Sequence, residues 1–226
     1  MDLEQLLSRL DVDLYGTAPV SAFDQAPPGF KPQDLLPTAQ QVIVIARSLN
    51  PTPIRYLPRT RNQYMVEFEM ANWHLTHTAY ELARQLQQQG QQALPIGSEA
   101  AIGDYGRLQA DFSLKHAAVQ AGLGFFGLNN LVLTPAYGPA QRWAAVITSA
   151  PYTPLKVANP ARPDLCSQCQ ACVRQCPAGA LLGWEGQYNP TTGWTINKEK
   201  CAHYIFVVNA GKRCGICIAS CPLLPE

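Results

Sequence analysis

Cys166-Ser167-Gln168-Cys169-Gln170-Ala171-Cys172-Val173-Arg174-Gln175-Cys176-Pro177 fits the pattern Cys-x2-Cys-x2-Cys-x3-Cys-Pro residue for residue. Three thiolates at this spacing wrap three irons of one cubane, and the fourth, carried away by a turn and a proline, reaches a second cluster. A second set of ligands is therefore required. It is present as Cys201 and Cys214-Gly215-Ile216-Cys217-Ile218-Ala219-Ser220-Cys221-Pro222, its first member supplied from further upstream. The crossover assigns Cys166, Cys169, Cys172 and Cys221 to one cluster and Cys201, Cys214, Cys217 and Cys176 to the other. Four plus four ligands predict two 4Fe-4S clusters and leave no spare thiol. The competing reading, two structural zinc sites, requires paired Cys-x2-Cys knuckles rather than a triple ending in Cys-Pro.

Outward from this block the composition changes. All eight cysteines lie between Cys166 and Cys221, so the first 165 of 226 residues contain none. The triple-plus-one run is that of bacterial ferredoxins, which predicts a small α+β, ferredoxin-like domain over 158–226 with two adjacent clusters that pass single electrons. Such a module needs only about 60 residues, so the cysteine-free part, 1–157, must hold something for those electrons. Pro151, Pro154, Pro160 and Pro163 form a stiff segment at the boundary. The chain is 47% hydrophobic and 15% charged, with 17 Lys+Arg against 16 Asp+Glu, which excludes disorder and gives no polyanion-binding charge excess. Met1-Asp2-Leu3-Glu4 opens acidic, and the longest clean aliphatic run, Val42 to Ala46, is five residues, against roughly 20 for a spanning helix. We expect a cytoplasmic protein without membrane contact, in whose reducing surroundings clustered cysteines are metal ligands before they are disulfides.

The cysteine-free part reads as α/β, with helices alternating with strands. Asp2 can cap a helix whose apolar face is Leu3, Leu6, Leu7 and Leu10. Val12 to Pro19 and Gln41 to Ala46 read as strands, the second apolar on both faces like an inner strand. A long helix is predicted over 62–89, where Phe68, Ala71, Leu75, Ala79, Leu82 and Leu86 recur at steps of three and four before Gly90 ends it. Leu94-Pro95-Ile96, Leu131 to Thr134 and Trp143 to Thr148 are further strand candidates, and Ser113 can cap a helix through Gln120 that Gly122 terminates. The Gln-rich run 85–92 reads as a solvated helix end. The glycines of Ala121-Gly122-Leu123-Gly124-Phe125-Phe126-Gly127 follow a helix instead of opening one after a strand, which argues against a dinucleotide fingerprint. They let either a large flat ligand or a neighbouring strand approach the backbone, or they make a plain cap and turn.

The segment from Ala121 through Leu128-Asn129, followed by strand residues and then by Cys-x2-Cys-x2-Cys-x3-Cys-Pro-Ala-Gly-Ala, resembles epoxyqueuosine reductase and its relatives. Asp34-Leu35-Leu36-Pro37 ahead of Val42-Ile43-Val44-Ile45 is similar too. The resemblance covers essentially the whole chain. It implies a cobalamin-binding α/β domain related to the nitroreductase fold and shared with reductive dehalogenases, joined to a two-cluster ferredoxin domain whose clusters reduce the corrinoid. Departures from the family accompany it. Epoxyqueuosine reductases continue past the clusters into a helical-repeat extension that helps hold tRNA, whereas this sequence stops at Glu226, which speaks against specific tRNA binding. Reductive dehalogenases mostly carry a twin-arginine signal, which this sequence lacks. Gln63-Tyr64-Met65 stands where the family tends to have Asp-Tyr-His. The family's acidic proton donor falls near Leu108 in a gapless match, and Asp104 is its counterpart only if a short insertion follows it.

Candidate catalytic residues are Tyr64, Asp104 and His116. A phenol can donate a proton beside the reacting centre, though Tyr64 also suits a core. Asp104 lies in a polar loop, where substrate contacts and solvated turns are both common. His116 sits two turns before Gly122, facing the cofactor or packed. Candidate cofactor-binding residues are Arg59 and Arg61, whose planar donors suit an amide or phosphate edge, with Gly122, Gly124, Gly127 and Asn129 of the glycine segment. Arg55 is read with these arginines. His74 and His77, at i and i+3, could ligate a metal together, though no third ligand is near in sequence. Lys198, Lys200, Lys212 and Arg213 form a small basic patch that is either solvated or docks an acidic electron donor such as a flavodoxin or ferredoxin. The expected function is an iron-sulfur oxidoreductase passing electrons from that donor through the clusters to cobalamin, which reduces a small-molecule substrate. The alternatives are a non-catalytic electron carrier or corrinoid-handling protein, and a flavin-bound reductase.

Overall fold

The computed structural model describes residues 3–99, 108–152, 155, 165–183, 186–189 and 193–226. Asp2 and Asp104 lie outside the described residues, as do Pro154, Pro160 and Pro163 of the boundary segment. Helices α1 (Leu3–Leu7), α2 (Pro32–Leu35), α3 (Pro51–Arg55), α4 (Arg61–Gln88) and α5 (Leu114–Gln120) alternate with strands β1 (Leu14–Pro19), β2 (Gln41–Ser48), β3 (Ala93–Ile96), β4 (Phe125–Phe126), β5 (Val132–Leu133) and β6 (Gln141–Thr148). The cysteine-rich part holds α6 (Leu165–Cys169), α7 (Ala171–Arg174), β7 (Tyr188–Asn189), β8 (Gly193–Trp194), α8 (Lys198–His203), a π-turn (Tyr204–Val208) and α9 (Ile216–Ala219). Among the described residues no helix is long and apolar enough to cross a membrane.

The chain forms two compact units that are interleaved in sequence. The first takes residues 1–47, 71–123 and 142–159, and the second takes 48–70, 124–141 and 160–226. In the first unit a four-stranded sheet has the order β1-β2-β6-β3. β1 pairs antiparallel with β2, Leu14 opposite Ala46, and β3 pairs antiparallel with β6, Ala93 opposite Thr148. β2 is buried from Gln41 to Ala46, as expected for an inner strand. Burial on both faces belongs most often to parallel sheets; here β2 and β6 are buried at successive positions although β1 and β3 pair with them antiparallel.

One face of the sheet, carrying Ile43, Ile45, Ala144 and Val146, packs with Leu3, Leu6 and Leu7 of α1 and with Leu75, Ala79, Leu82, Ala83 and Leu86 of α4. These helix residues are spaced three and four apart, so one stripe faces the sheet. α4 ends where Gly90 turns left-handed at φ 82° and its N–H donates to the Gln87 carbonyl. At the other edge α5 packs by β1, where Gly16 leaves a Cβ position only 3.1 Å from the Ala121 carbonyl oxygen. α5 starts at Ser113, whose hydroxyl accepts from the His116 N–H, and ends before Gly122 at φ 73°. Both boundaries are as the sequence predicts.

Leu75 is fully buried against both inner strands' side chains. Leu75→Ala is expected to lower unfolding free energy by about 2–5 kcal/mol through lost burial and a residual cavity, measured by urea denaturation; a loss below about 1 kcal/mol would show that the stripe is not packed.

Candidate metal centre

All eight cysteines are in the second unit, and none is in a disulfide. α6 carries Cys166 and Cys169, α7 carries Cys172, and the turn after α7 carries Cys176. α8 carries Cys201, Cys214 precedes α9, Cys217 is within it and Cys221 follows it. α7 packs against α9, so the two short helices bring their thiols together. Each is entered through the same backbone device. Gln170, between Cys169 and α7, has φ 46°, and Gly215, between Cys214 and α9, has φ 71°. A left-handed residue at this point tightens Cys-x2-Cys so that both thiols serve one centre. The glycine at 215 has a further cause: a Cβ there would lie 2.7 Å from Leu57 Cδ1 and 2.8 Å from Tyr64 Cε1.

Cys166, Cys169, Cys172 and Cys221 line a single cavity together with Leu128, Asn129, Leu133, Gln170, Pro222 and Leu223. Cys221 is remote in sequence from the other three, and only the fold brings it to them. Burial first, and then the neighbouring Cys221, Cys166 and Cys169, push the Cys172 thiol up to about 11. Burial pushes Cys221 to about 11 as well, with Cys166 and Cys169 adding to it and the Leu223 backbone hydrogen bond opposing. Cys217 is raised by burial first and then by Cys214 and Cys201, with Cys172 and Cys176 beyond them. Each of these three thiols is raised chiefly by burial, and the neighbouring cysteine sulfurs add to the rise. Without metal these three cysteines stay protonated at neutral pH, so cluster assembly must release protons.

The backbone around the thiols is pinned by other residues. Arg61 donates to the carbonyls of Arg213 at 2.7 Å and Cys214 at 2.9 Å. The Asn129 amide donates to the Cys217 carbonyl at 3.4 Å while its oxygen accepts from the Leu131 N–H. Arg55 donates to the Pro225 carbonyl, and the Ala180 N–H donates to the Cys176 sulfur at 3.3 Å. Hydrogen bonds to ligand sulfurs tune cluster potential.

The remaining predicted site residues are placed as follows. Tyr64 is 2% exposed, its ring tilted against Phe68 and close to Gly215. Arg59 is exposed at the turn before α4. A Cβ at Gly124 would lie 2.4 Å from the Leu133 carbonyl oxygen, and one at Gly127 would lie 2.6 Å from Leu133 Cδ1, so strand β5 occupies the approach that these glycines open. Gly122 is the left-handed end of α5. His116 Nδ1 lies 2.5 Å from the Ser113 hydroxyl. His74 is held by Asp11, and His77 stacks on Trp73 at 5.6 Å. Sequence reasoning missed that Arg55, Arg61 and Asn129 brace the cysteine loops, because their partners are backbone carbonyls without a sequence signature.

Residues 165–223 match the family model of the 4Fe-4S dicluster domain. The chain is 29% identical over 232 aligned positions to a tetrachloroethene reductive dehalogenase of Desulfitobacterium hafniense, covering 97% of this chain and 38% of that protein. It is 28% identical to the epoxyqueuosine reductase of Bacillus subtilis, over 85% of this chain and 49% of that protein. The chain is thus similar in sequence to reductive dehalogenases and to epoxyqueuosine reductases. Its fold matches, with a TM-score of 0.73 at 18% identity, a reductive dehalogenase whose structure is described as suggesting a mechanism for B12-dependent dehalogenation, over 96% of this chain and 30% of that one. It is a mixed α/β fold with a 4Fe-4S dicluster domain. The chain spans less than half the length of the curated relatives quoted.

Gly215→Ala is expected to destabilise the anaerobic protein by about 1–3 kcal/mol, since the added methyl meets Leu57 and Tyr64 in a left-handed conformation. Gly179→Ala is the control, also left-handed at φ 55° but with nothing within 4 Å of its Cβ. Equal losses in the two variants, read by denaturant midpoints, would show that packing against Tyr64 contributes nothing.

Proposed function

We propose that the chain is an iron-sulfur oxidoreductase in which an external one-electron donor reduces two 4Fe-4S clusters and the electrons pass to a corrinoid for reduction of a small substrate. The observation that carries the electron-transfer part is the convergence of Cys166, Cys169, Cys172 and Cys221 on one cavity. Sulfur is the donor expected for iron-sulfur clusters, and the second set, Cys176, Cys201, Cys214 and Cys217, is assigned by the crossover of the motif spacing. When bound, the clusters supply one-electron redox chemistry and the corrinoid a strongly reducing cobalt centre. The chain's own residues hold the thiolates, keep water from their buried sides and brace the loops through Arg61 and Asn129.

The corrinoid reading is supported by the relationship to B12-dependent dehalogenation and by a polar site in the sheet unit. There Asn72 is 6% exposed; its oxygen accepts from Arg142 Nε and from the Ser98 hydroxyl, each at 2.7 Å. Among the described residues its amide nitrogen finds no partner, which suits a ligand fringed with amide groups. We assign corrinoid binding to 1–157, on a nitroreductase-like scaffold, and cluster binding to 158–226, with 48–70 and 124–141 helping to form the cluster unit. Tyr64, Asp104 and His116 are the proposed proton donors, and Arg59, Arg61, Gly122 and Asn129 the proposed cofactor contacts; Gly124 and Gly127 are not among them, because β5 fills the space beside them. The second reading, a carrier that hands electrons on without turnover, is favoured by one observation: the Tyr64 ring is enclosed within the cluster unit.

Anaerobic purification with iron, sulfide and cobalt analysis tests the proposal. About eight irons per chain and a base-off corrinoid spectrum on adding hydroxocobalamin are expected; zinc in place of iron would refute it, and eight irons without corrinoid binding would leave the carrier. Cys201→Ser is expected to lose about four irons, and Cys221→Ser about four from the other cluster. Tyr64→Phe is expected to slow reduced-cobalamin-dependent turnover at unchanged iron content, and an unchanged rate removes Tyr64 as an acid.

A further inference from the structure

Residues 198–213 carry Lys198, Lys200, Lys212 and Arg213 against the single acidic Glu199, and both Cys201 and the residue preceding Cys214 lie within this stretch. The three lysines are exposed. Between them the chain presents an apolar centre: Phe206, Val207 and Val208 are 40%, 64% and 58% exposed. Lys200 and His203 are three apart on α8 and both exposed, and Val207 is exposed in the turn that follows, so charge and apolar surface share one exposed stretch of chain. The backbone of this stretch is unusual. Tyr204–Val208 is a π-turn, a rare form that recurs at functional sites. It closes through Ala210 at φ 50° and Gly211 at φ 83°.

The stretch is held in place from below. Arg213 has its guanidinium over the Phe68 ring at 5.3 Å and the Phe206 ring at 5.6 Å, and its N–H donates to the Met65 sulfur at 3.1 Å. Lys212 donates to the Asn62 side chain at 2.8 Å. Arg213 thereby orients Phe206, and the loop that leads into Cys214 is fixed by Arg61. Exposed valines and a phenylalanine, flanked along the chain by exposed lysines, have the make-up of a transient interface: an apolar contact for the encounter complex and charge for steering. Because two cysteines assigned to the second cluster belong to the same stretch, whatever docks there is brought next to that cluster.

We infer that this stretch, Lys198 to Arg213, is the docking surface for a small acidic flavoprotein electron carrier, and that the second cluster is the entry point for its electrons. The inference rests on the cluster reading proposed above. An acidic partner matches the flanking lysines, and the apolar edge of an exposed flavin ring matches Phe206, Val207 and Val208. In each encounter one electron leaves the carrier's anionic flavin hydroquinone, which becomes the neutral semiquinone without moving a proton, and one cluster gains that electron.

The test uses the anaerobic 226-residue chain with assembled clusters and an acidic flavodoxin reduced to its hydroquinone, followed by stopped-flow bleaching of the cluster absorption. The second-order rate is expected to fall by at least about tenfold between low and 0.5 M salt. The Lys198→Glu, Lys200→Glu, Lys212→Glu triple variant is expected to lose at least about tenfold at low salt and most of the salt dependence. Its iron content and its reduction by dithionite should match those of the parent. Val207→Ser should lower the rate at high salt, where steering is screened. A triple variant reduced by flavodoxin at the parent rate overturns the inference, as does charge-dependent reduction by an acidic ferredoxin with none by flavodoxin. A parent chain without iron fails the cluster reading instead. In that case calorimetric titration with oxidised flavodoxin decides the surface alone, binding lost in the triple variant supporting it and equal binding overturning it.

Discussion

Burial of sulfur donors beside one another is the constraint on which the rest of the cluster unit depends. Burial strips a thiolate of hydration and neighbouring sulfurs then repel it, which is why Cys172 and Cys221 are pushed up to about 11 and Cys217 is raised as well. Such a group is stable when ionised only around cations, so the arrangement is one that metal binding completes. The cost of assembling it falls on the backbone. Gln170 and Gly215 adopt left-handed conformations at matching points of the two Cys-x2-Cys turns, and side chains from distant segments brace the loops that result.

Those braces explain why the cluster unit is not confined to the cysteine-rich tail. Arg61 belongs to the first turn of α4, and Asn129 to the loop between β4 and β5, yet both bond carbonyls beside the second ligand set. The glycine segment serves the same end. Gly124 and Gly127 are small because strand β5 runs over them, and β5 also lines the cavity of the first set through Leu133. A hydrophobic sheet unit and a metal-built unit therefore share one chain that crosses between them several times, with α4 contributing residues to each. The first is held chiefly by apolar burial over a paired sheet, which needs correctly spaced leucines and valines; the second depends on ligands, hydrogen bonds and loop conformations.

Much of this was legible in the amino-acid order. Period 3.6 in 68–86 and the continuous apolar run 42–46 gave α4 and β2 within a residue or two, because each element buries a surface whose period is written in its side chains. Ser113 and Gly122 marked the ends of α5 for equally local reasons. What was not legible were contacts to backbone carbonyls and the meaning of the glycines. A ligand and a strand both require a missing Cβ, and Tyr64 was equally compatible with a reacting group and with a core; its 2% exposure shows how it packs.

The sequence by itself determined the chemistry of the metal centre, since ligand type and spacing are local properties: Cys-x2-Cys-x2-Cys-x3-Cys-Pro leaves few alternatives to iron and sulfur. It also determined the helices and inner strands that make up the sheet. The motif crossover already put Cys221 with Cys166, Cys169 and Cys172, and the fold lines one cavity with all four; only the tertiary structure decided that β5 fills the space above Gly124 and that Arg213 holds Phe206 at the surface. The physical reason is the same in each case. Side chains far apart in the chain meet only after the packing of helices and strands has fixed where their backbones run, and no periodicity or motif carries that distance.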